Sequence, residues 1–131
     1  MSAFFDTNVA CYALGRGDPR QNRALDLLFR GGAISVQVLN ELASVLRNKL
    51  QMSWKETGLA IEQLLILCPR ACPLTLETHQ TAMRVCARYG LAIYDGLIVA
   101  SAMEAGCDTL YTEDMHHGQT IEGVRIVNPF L

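Results

Sequence analysis

The sequence predicts an α/β domain built on a mainly parallel sheet, and three observations lead there. Short apolar runs alternate with stretches of helical spacing along the chain. Hairpin signals between the runs are few. The runs AFF and AISV carry no polar alternation, as expected of strands covered by helices on both faces.

The elements follow in order. Residues 2–6, SAFFD, read as a buried strand ending at an acid. DPRQNRALDLLFRGG reads as a helix, with Asp18 as N-cap, Pro19 at the first helical position and Gly31-Gly32 as the stop. Residues 33–36, AISV, form a second strand candidate. Over 38–50, Val38, Leu42, Val45 and Leu46 recur at helical spacing. Ser53 and Glu56 make a capping box, opening a helix that runs to about Cys68 before Pro69. Residues 72–74, CPL, suggest a short strand. Thr75 caps the next helix, whose stripe includes Ala82, Met83 and Cys86 and which stops at Gly90. Residues 94–106 form a small-residue helix ending at Gly106. Residues 108–112, DTLYT, and 124–127, VRIV, complete the strands.

Composition bounds the class. A chain of 131 residues, 50% hydrophobic and 18% charged, suits one globular domain spanning 1–131. The net charge of −2 and pI near 5.9 neither require nor exclude a nucleic-acid partner. Arginine dominates the cations (Arg16, Arg20, Arg23, Arg30, Arg47, Arg70, Arg84, Arg88 and Arg125), which suits phosphate contacts or a protein interface. The 5 cysteines, Cys11, Cys68, Cys72, Cys86 and Cys107, form no Cys-x-x-Cys pair and read as reduced core residues of a cytoplasmic chain. No secretory signal is visible, since Asp6 interrupts the apolar start, and no apolar run reaches the length of a membrane span.

Four acids stand out by context. Asp6 ends the first strand and precedes Thr7-Asn8. Glu41 borders an apolar helical stripe. Asp95 opens an almost uncharged helix, and Asp114 follows the strand DTLYT. Each has a structural alternative: Asp6 as a helix cap, Glu41 as a solvated helix residue, Asp95 as a partner of the helix dipole, Asp114 as a turn acid. Ligands of parallel sheets bind beyond the carboxyl ends of the strands. If the first strand and DTLYT are neighbours, Asp6 and Asp114 face one crevice. Clustered carboxylates repel unless a cation compensates them, and hard oxygen donors select Mg²⁺ or Mn²⁺. Such a cation would lower the pKa of a bound water and offset charge on a phosphodiester.

The stretches FFDTNV, SVQVLNELASVL, LAIYDGLIVASAMEAGCDTLYTED and HGQTIEGVRIVNPF resemble the PIN-domain family, and more closely its VapC-type ribonuclease toxins of bacterial toxin–antitoxin modules. The resemblance covers the chain nearly end to end. It implies a Rossmann-like three-layer α/β/α sandwich with a parallel sheet of order 3-2-1-4-5. It implies Mg²⁺- or Mn²⁺-dependent RNA cleavage, with Asp6 and Asp95 as principal metal ligands and Glu41 and Asp114 completing the cluster. Thr7 and Asn8 would orient the first carboxylate or the scissile phosphate, and Thr112 would support Asp114 and bound water. Partners implied are a VapB-like antitoxin filling the groove, an RNA substrate and a second copy of the chain.

Other readings stay open at this level. A PIN-like module could bind RNA or protein without cutting. A haloacid-dehalogenase-type phosphotransferase would want a second Asp where Asn8 stands, and a receiver domain lacks its acidic pair and late lysine. His116 and His117 suit loop or groove contacts better than joint metal ligation, and His79 reads as structural. Gly96, Ala100, Ser101 and Ala102 read as plain core, with close helix packing as the alternative.

Overall fold

The computed structural model describes residues 2–15 and 17–131, so Arg16 lies outside the described residues. Among the described residues six strands and six helices follow in the order β1 (Ala3–Phe5), α1 (Thr7–Leu14), α2 (Gln21–Phe29), β2 (Ile34–Ser35), α3 (Val36–Asn48), α4 (Trp54–Leu67), β3 (Ala71–Cys72), α5 (Leu76–Tyr89), α6 (Ile93–Glu104), β4 (Thr109–Tyr111), β5 (Thr120–Ile121) and β6 (Val124–Val127).

β1 pairs in parallel with β4, and β4 with β6. β2 and β3 form a second parallel pair. Ala33, just before β2, joins the two: Phe5 N–H donates to Ala33 O at 2.9 Å, and Ala33 N–H to Ala3 O at 2.9 Å. The parallel strands therefore run β3-β2-β1-β4-β6, the expected 3-2-1-4-5 order. β5 adds an antiparallel edge beside β6. That hairpin was not legible in the sequence; Glu122 and Gly123 turn it at φ 50° and 82°, both in the left-handed region that tight hairpin turns use.

Helices flank the sheet in two groups, giving the α/β/α sandwich. α1 to α4 pack on one another, while α5 packs chiefly on α6, which lies against β2, β4 and β6. Phe4, Phe5, Ile34, Leu42, Ile98, Leu110 and Ile126 are fully buried between the layers. Phe5 and Tyr111 stack across the β1–β4 pair with centroids 5.9 Å apart.

Several boundaries differ from the sequence expectation. AISV contributes only Ile34–Ser35 as strand, because Ser35 caps α3 and Val36 is already helical. The strand expected over 72–74 is Ala71–Cys72. α2 starts at Gln21, not at Pro19. Asp18 precedes a proline, which disfavours helical backbone there; its carboxylate instead accepts the Arg20 N–H at 2.8 Å in a turn before the helix. The capping box at Ser53 and Glu56 is present, as are the Thr75 cap and the left-handed Gly90 stop. Cys68 and Cys107 are buried, whereas Cys11, Cys72 and Cys86 are half-buried; all 5 are free. His79 is exposed on α5.

Gly96 has a steric task beyond plain core. A Cβ there would overlap Cys86 Sγ and lie 3.1 Å from Ala82 O, so the missing side chain lets α6 approach α5.

Candidate active site

α1, which the sequence did not reveal, decides the surroundings of Asp6. The chain leaves β1 and turns into helix at once, so Asp6 is both strand tip and N-cap, accepting the Thr7 N–H on Oδ1 at 2.7 Å. The cap and the candidate functional acid, posed as alternatives from sequence, do not exclude each other, because the cap bond uses Oδ1 and leaves Oδ2 to another partner. Extending the β1–β4 register by one residue brings Asp6 beside Thr112: Asp6 N–H donates to Tyr111 O at 3.0 Å, and Thr112 Oγ1 donates to Asp6 Oδ2 at 2.8 Å. Asp6 is 3% exposed and Thr112 fully buried.

Thr112 also organises the loop behind β4. Its hydroxyl accepts the Asp114 N–H at 3.1 Å and the Asn8 Nδ2 at 3.3 Å. The same Asn8 amide donates to Asp114 Oδ2 at 3.0 Å. From the other side, Thr7 Oγ1 donates to Glu41 Oε2 at 2.9 Å, and Gln37 Nε2 to Glu41 Oε1 at 2.8 Å. Asp95 stands half-buried in the first turn of α6, where the helix dipole favours an anion.

Asp6 and Asp95 each feel the charges of Glu41 and Asp114. Burial pushes the Asp6 carboxyl up to about 6; the bonds from Thr112 and Thr7 oppose this, and the charges of Glu41 and Asp114 add to it. Burial also raises Asp95, helped by the charges of Asp114 and Glu41. None of the four forms a salt bridge among the described residues. Glu41 and Asp114 line a cleft of about 330 Å³ together with Thr7, Asn8, Cys11, Tyr12, Lys49 and Glu113. A broader depression of about 640 Å³ is lined by His116, His117, Gly118 and Gln119. There His117 Nδ1 accepts the Asn128 N–H at 2.9 Å, a loop contact.

Among the described residues no three His, Cys, Asp or Glu side chains converge tightly enough to hold an ion unaided. The donor chemistry nonetheless fits a hard cation: all four candidates are carboxylates, and no ion pair offsets their mutual repulsion among the described residues. Mg²⁺ is commonly held by one or two carboxylates, with water and phosphate oxygens filling its remaining positions.

A sequence profile described as PIN domain matches residues 3–120. The chain belongs to the PIN domain family. No curated protein matches it in sequence. Solved PIN-fold structures similar to it include a toxin–antitoxin complex from Klebsiella pneumoniae (TM-score 0.73, 21% identity, 98% of each chain covered). VapBC2 from Rickettsia felis, bound to a DNA fragment of its promoter, aligns with TM-score 0.69 at 22% identity over 96% of this chain and 97% of that one. VapC20 of Mycobacterium tuberculosis, described as a sarcin-ricin loop cleaving toxin, gives 0.68 at 21% identity, covering 86% and 90%. Across this PIN domain no single helix among the described residues is long and apolar enough to cross a membrane.

Three residues of the site had not been singled out. Gln37 stands one helical turn before Glu41, a spacing readable from sequence. Tyr12 and Glu113 gave no local signal, being joined only by tertiary structure: the Tyr12 hydroxyl donates to Glu113 Oε1, while the Arg20 guanidinium stacks 3.7 Å from the Tyr12 ring centroid. Burial and the adjacent Glu113 push the Tyr12 phenol to about 12, so it remains a donor.

Proposed function

We propose that this PIN domain is a Mg²⁺- or Mn²⁺-dependent endoribonuclease. In this reading it acts in the bacterial cytoplasm as the toxin of a toxin–antitoxin pair, dimerises, and is held silent by a VapB-like antitoxin. The observation that carries the reading is Asp6. Its carboxylate is buried at the end of a central strand, forms no ion pair among the described residues, and feels the charges of two further acids. Burying such a group is unfavourable unless a counter-charge arrives. The Mycobacterium tuberculosis relative described as a sarcin-ricin loop cleaving toxin, and the Klebsiella pneumoniae relative described as a toxin–antitoxin complex, support the same direction.

The proposed division of labour is the one that the resemblance to VapC-type PIN domains implies, and the hydrogen bonds of the site are consistent with it. Asp6 and Asp95 hold the cation, with Glu41 and Asp114 completing the cluster directly or through water. When bound, the cation supplies an activated water and offsets charge on the scissile phosphate. Thr112 fixes Asp6 Oδ2 and, with Asn8, sets the position of Asp114. Thr7 ties Asp6 to Glu41, since its N–H serves one and its hydroxyl the other. A cation also reverses the local sign, so a mildly acidic protein can accept a polyanion.

The test is mapping of RNA ends after brief expression in cells, with Asp6→Ala and Asp95→Ala as controls. Wild type is expected to generate discrete new ends and arrest growth. Both variants should fold and do neither. Cleavage by both variants at the wild-type rate in Mn²⁺ would remove the assignment.

A further inference from the structure

We infer that Gln37 is a positioning residue, whose side-chain amide holds the Glu41 carboxylate in place for the cation site. This rests on the reading of the four acids as that site. Gln37 is 7% exposed, unusual for glutamine, and a buried amide is costly unless it is hydrogen-bonded. Its Nε2 donates to Glu41 Oε1 at 2.8 Å across one turn of α3. The other oxygen, Oε2, takes the Thr7 hydroxyl at 2.9 Å from α1. Glu41 is thus gripped by two neutral donors from two elements.

That arrangement has a chemical consequence. A carboxylate oxygen offers two acceptor sites, so one hydrogen bond on each leaves a site free on each for a cation or its water. The two donors fix the side chain without adding a positive charge that would compete with the cation. Thr7 alone leaves one oxygen unanchored, and a glutamate has several rotamers to explore. Gln37 removes that freedom from the helix's own side. It acts through Glu41 and belongs with the outer partners that orient metal ligands.

The experiment is Mn²⁺ titration, followed by electron paramagnetic resonance, of the full chain and of Gln37→Met, which keeps length and volume but cannot donate. Gln37→Ala is read alongside, in case the thioether disturbs α3. Both are repeated in a Glu41→Gln background. Mn²⁺ affinity is expected to fall about tenfold in wild-type background. It should change less than twofold once Glu41 is already neutral, while circular dichroism stays unchanged. A purely helix-stabilising pair would lower the melting temperature and leave Mn²⁺ affinity alone. Affinity within twofold of wild type for both variants overturns the inference, as does an equal loss in both backgrounds; in either case the cation site itself stands. A wild-type chain that binds no Mn²⁺ overturns the cation reading, and this inference with it.

Discussion

Replacing Asp6 by asparagine should remove a pH dependence from the stability of the cation-free protein, so that the variant gains on wild type as pH rises. In the folded chain the Asp6 carboxyl sits at about 6, against an ordinary value of 3.8, chiefly because burial penalises its charge. Below the unfolded value both states are protonated, and the folded state has its full advantage. As pH rises through the folded value that advantage is lost, since the native state must release a proton it held more tightly. The full window corresponds to about 3 kcal/mol, at about 1.4 kcal/mol per pH unit. Between pH 4.5 and 8 about 2 kcal/mol of it is traversed. An asparagine in this place does not titrate, so the variant lacks this slope. The Thr7 N–H still has an amide oxygen to bond. The Thr112 hydroxyl, which already accepts from Asn8 and Asp114, loses its carboxylate acceptor, a pH-independent cost that offsets the whole curve without changing its slope. Urea denaturation in chelator across pH 4.5–8 measures the effect as a difference between two curves. Wild type should lose about 2 kcal/mol relative to Asp6→Asn over that range. Parallel curves would refute the reasoning, because they would mean that burial does not hold the carboxyl up.

Two further outcomes follow from the same structure. Mn²⁺ should raise the melting temperature of wild type, by about 2.7 kcal/mol of stability at a hundredfold excess over its dissociation constant, and do nothing for Asp6→Ala; differential scanning fluorimetry checks both. Gly96→Ala should destabilise by about 1–3 kcal/mol, because the added methyl meets Cys86 Sγ and the Ala82 carbonyl. Cys86→Ala should restore part of that loss, and chemical denaturation of the single and double variants measures it.

Much of this was legible locally. The apolar run before Asp6, the Ser53–Glu56 box, the Thr75 cap and the helix opening at Asp95 are short-range patterns whose physics is contained within a few residues. Asp6, Glu41, Asp95 and Asp114 could be singled out for the same reason: each is a charge beside an apolar segment. The resemblance of the ordered set to PIN domains supplied the sheet order that spacing alone left open. Other features were not legible. α1 is short, its buried apolar positions are only Val9, Ala10 and Ala13, and it follows β1 with no punctuation but Asp6 itself. The β5–β6 hairpin turns on Glu122 at positive φ, a conformation that its residue type does not advertise.

The sequence by itself determined that an acid ends the first strand and that three more follow in suitable places. Only the tertiary structure decided how they are held. Thr112 reaches Asp6 across 106 positions because β1 and β4 share one register, and that register follows from burying Phe4, Phe5, Leu110 and Tyr111 together. Thr7 reaches Glu41 because α1 packs on α3. A charge can be read from a letter, but its solvation, partners and proton affinity belong to the packed core that takes it out of water.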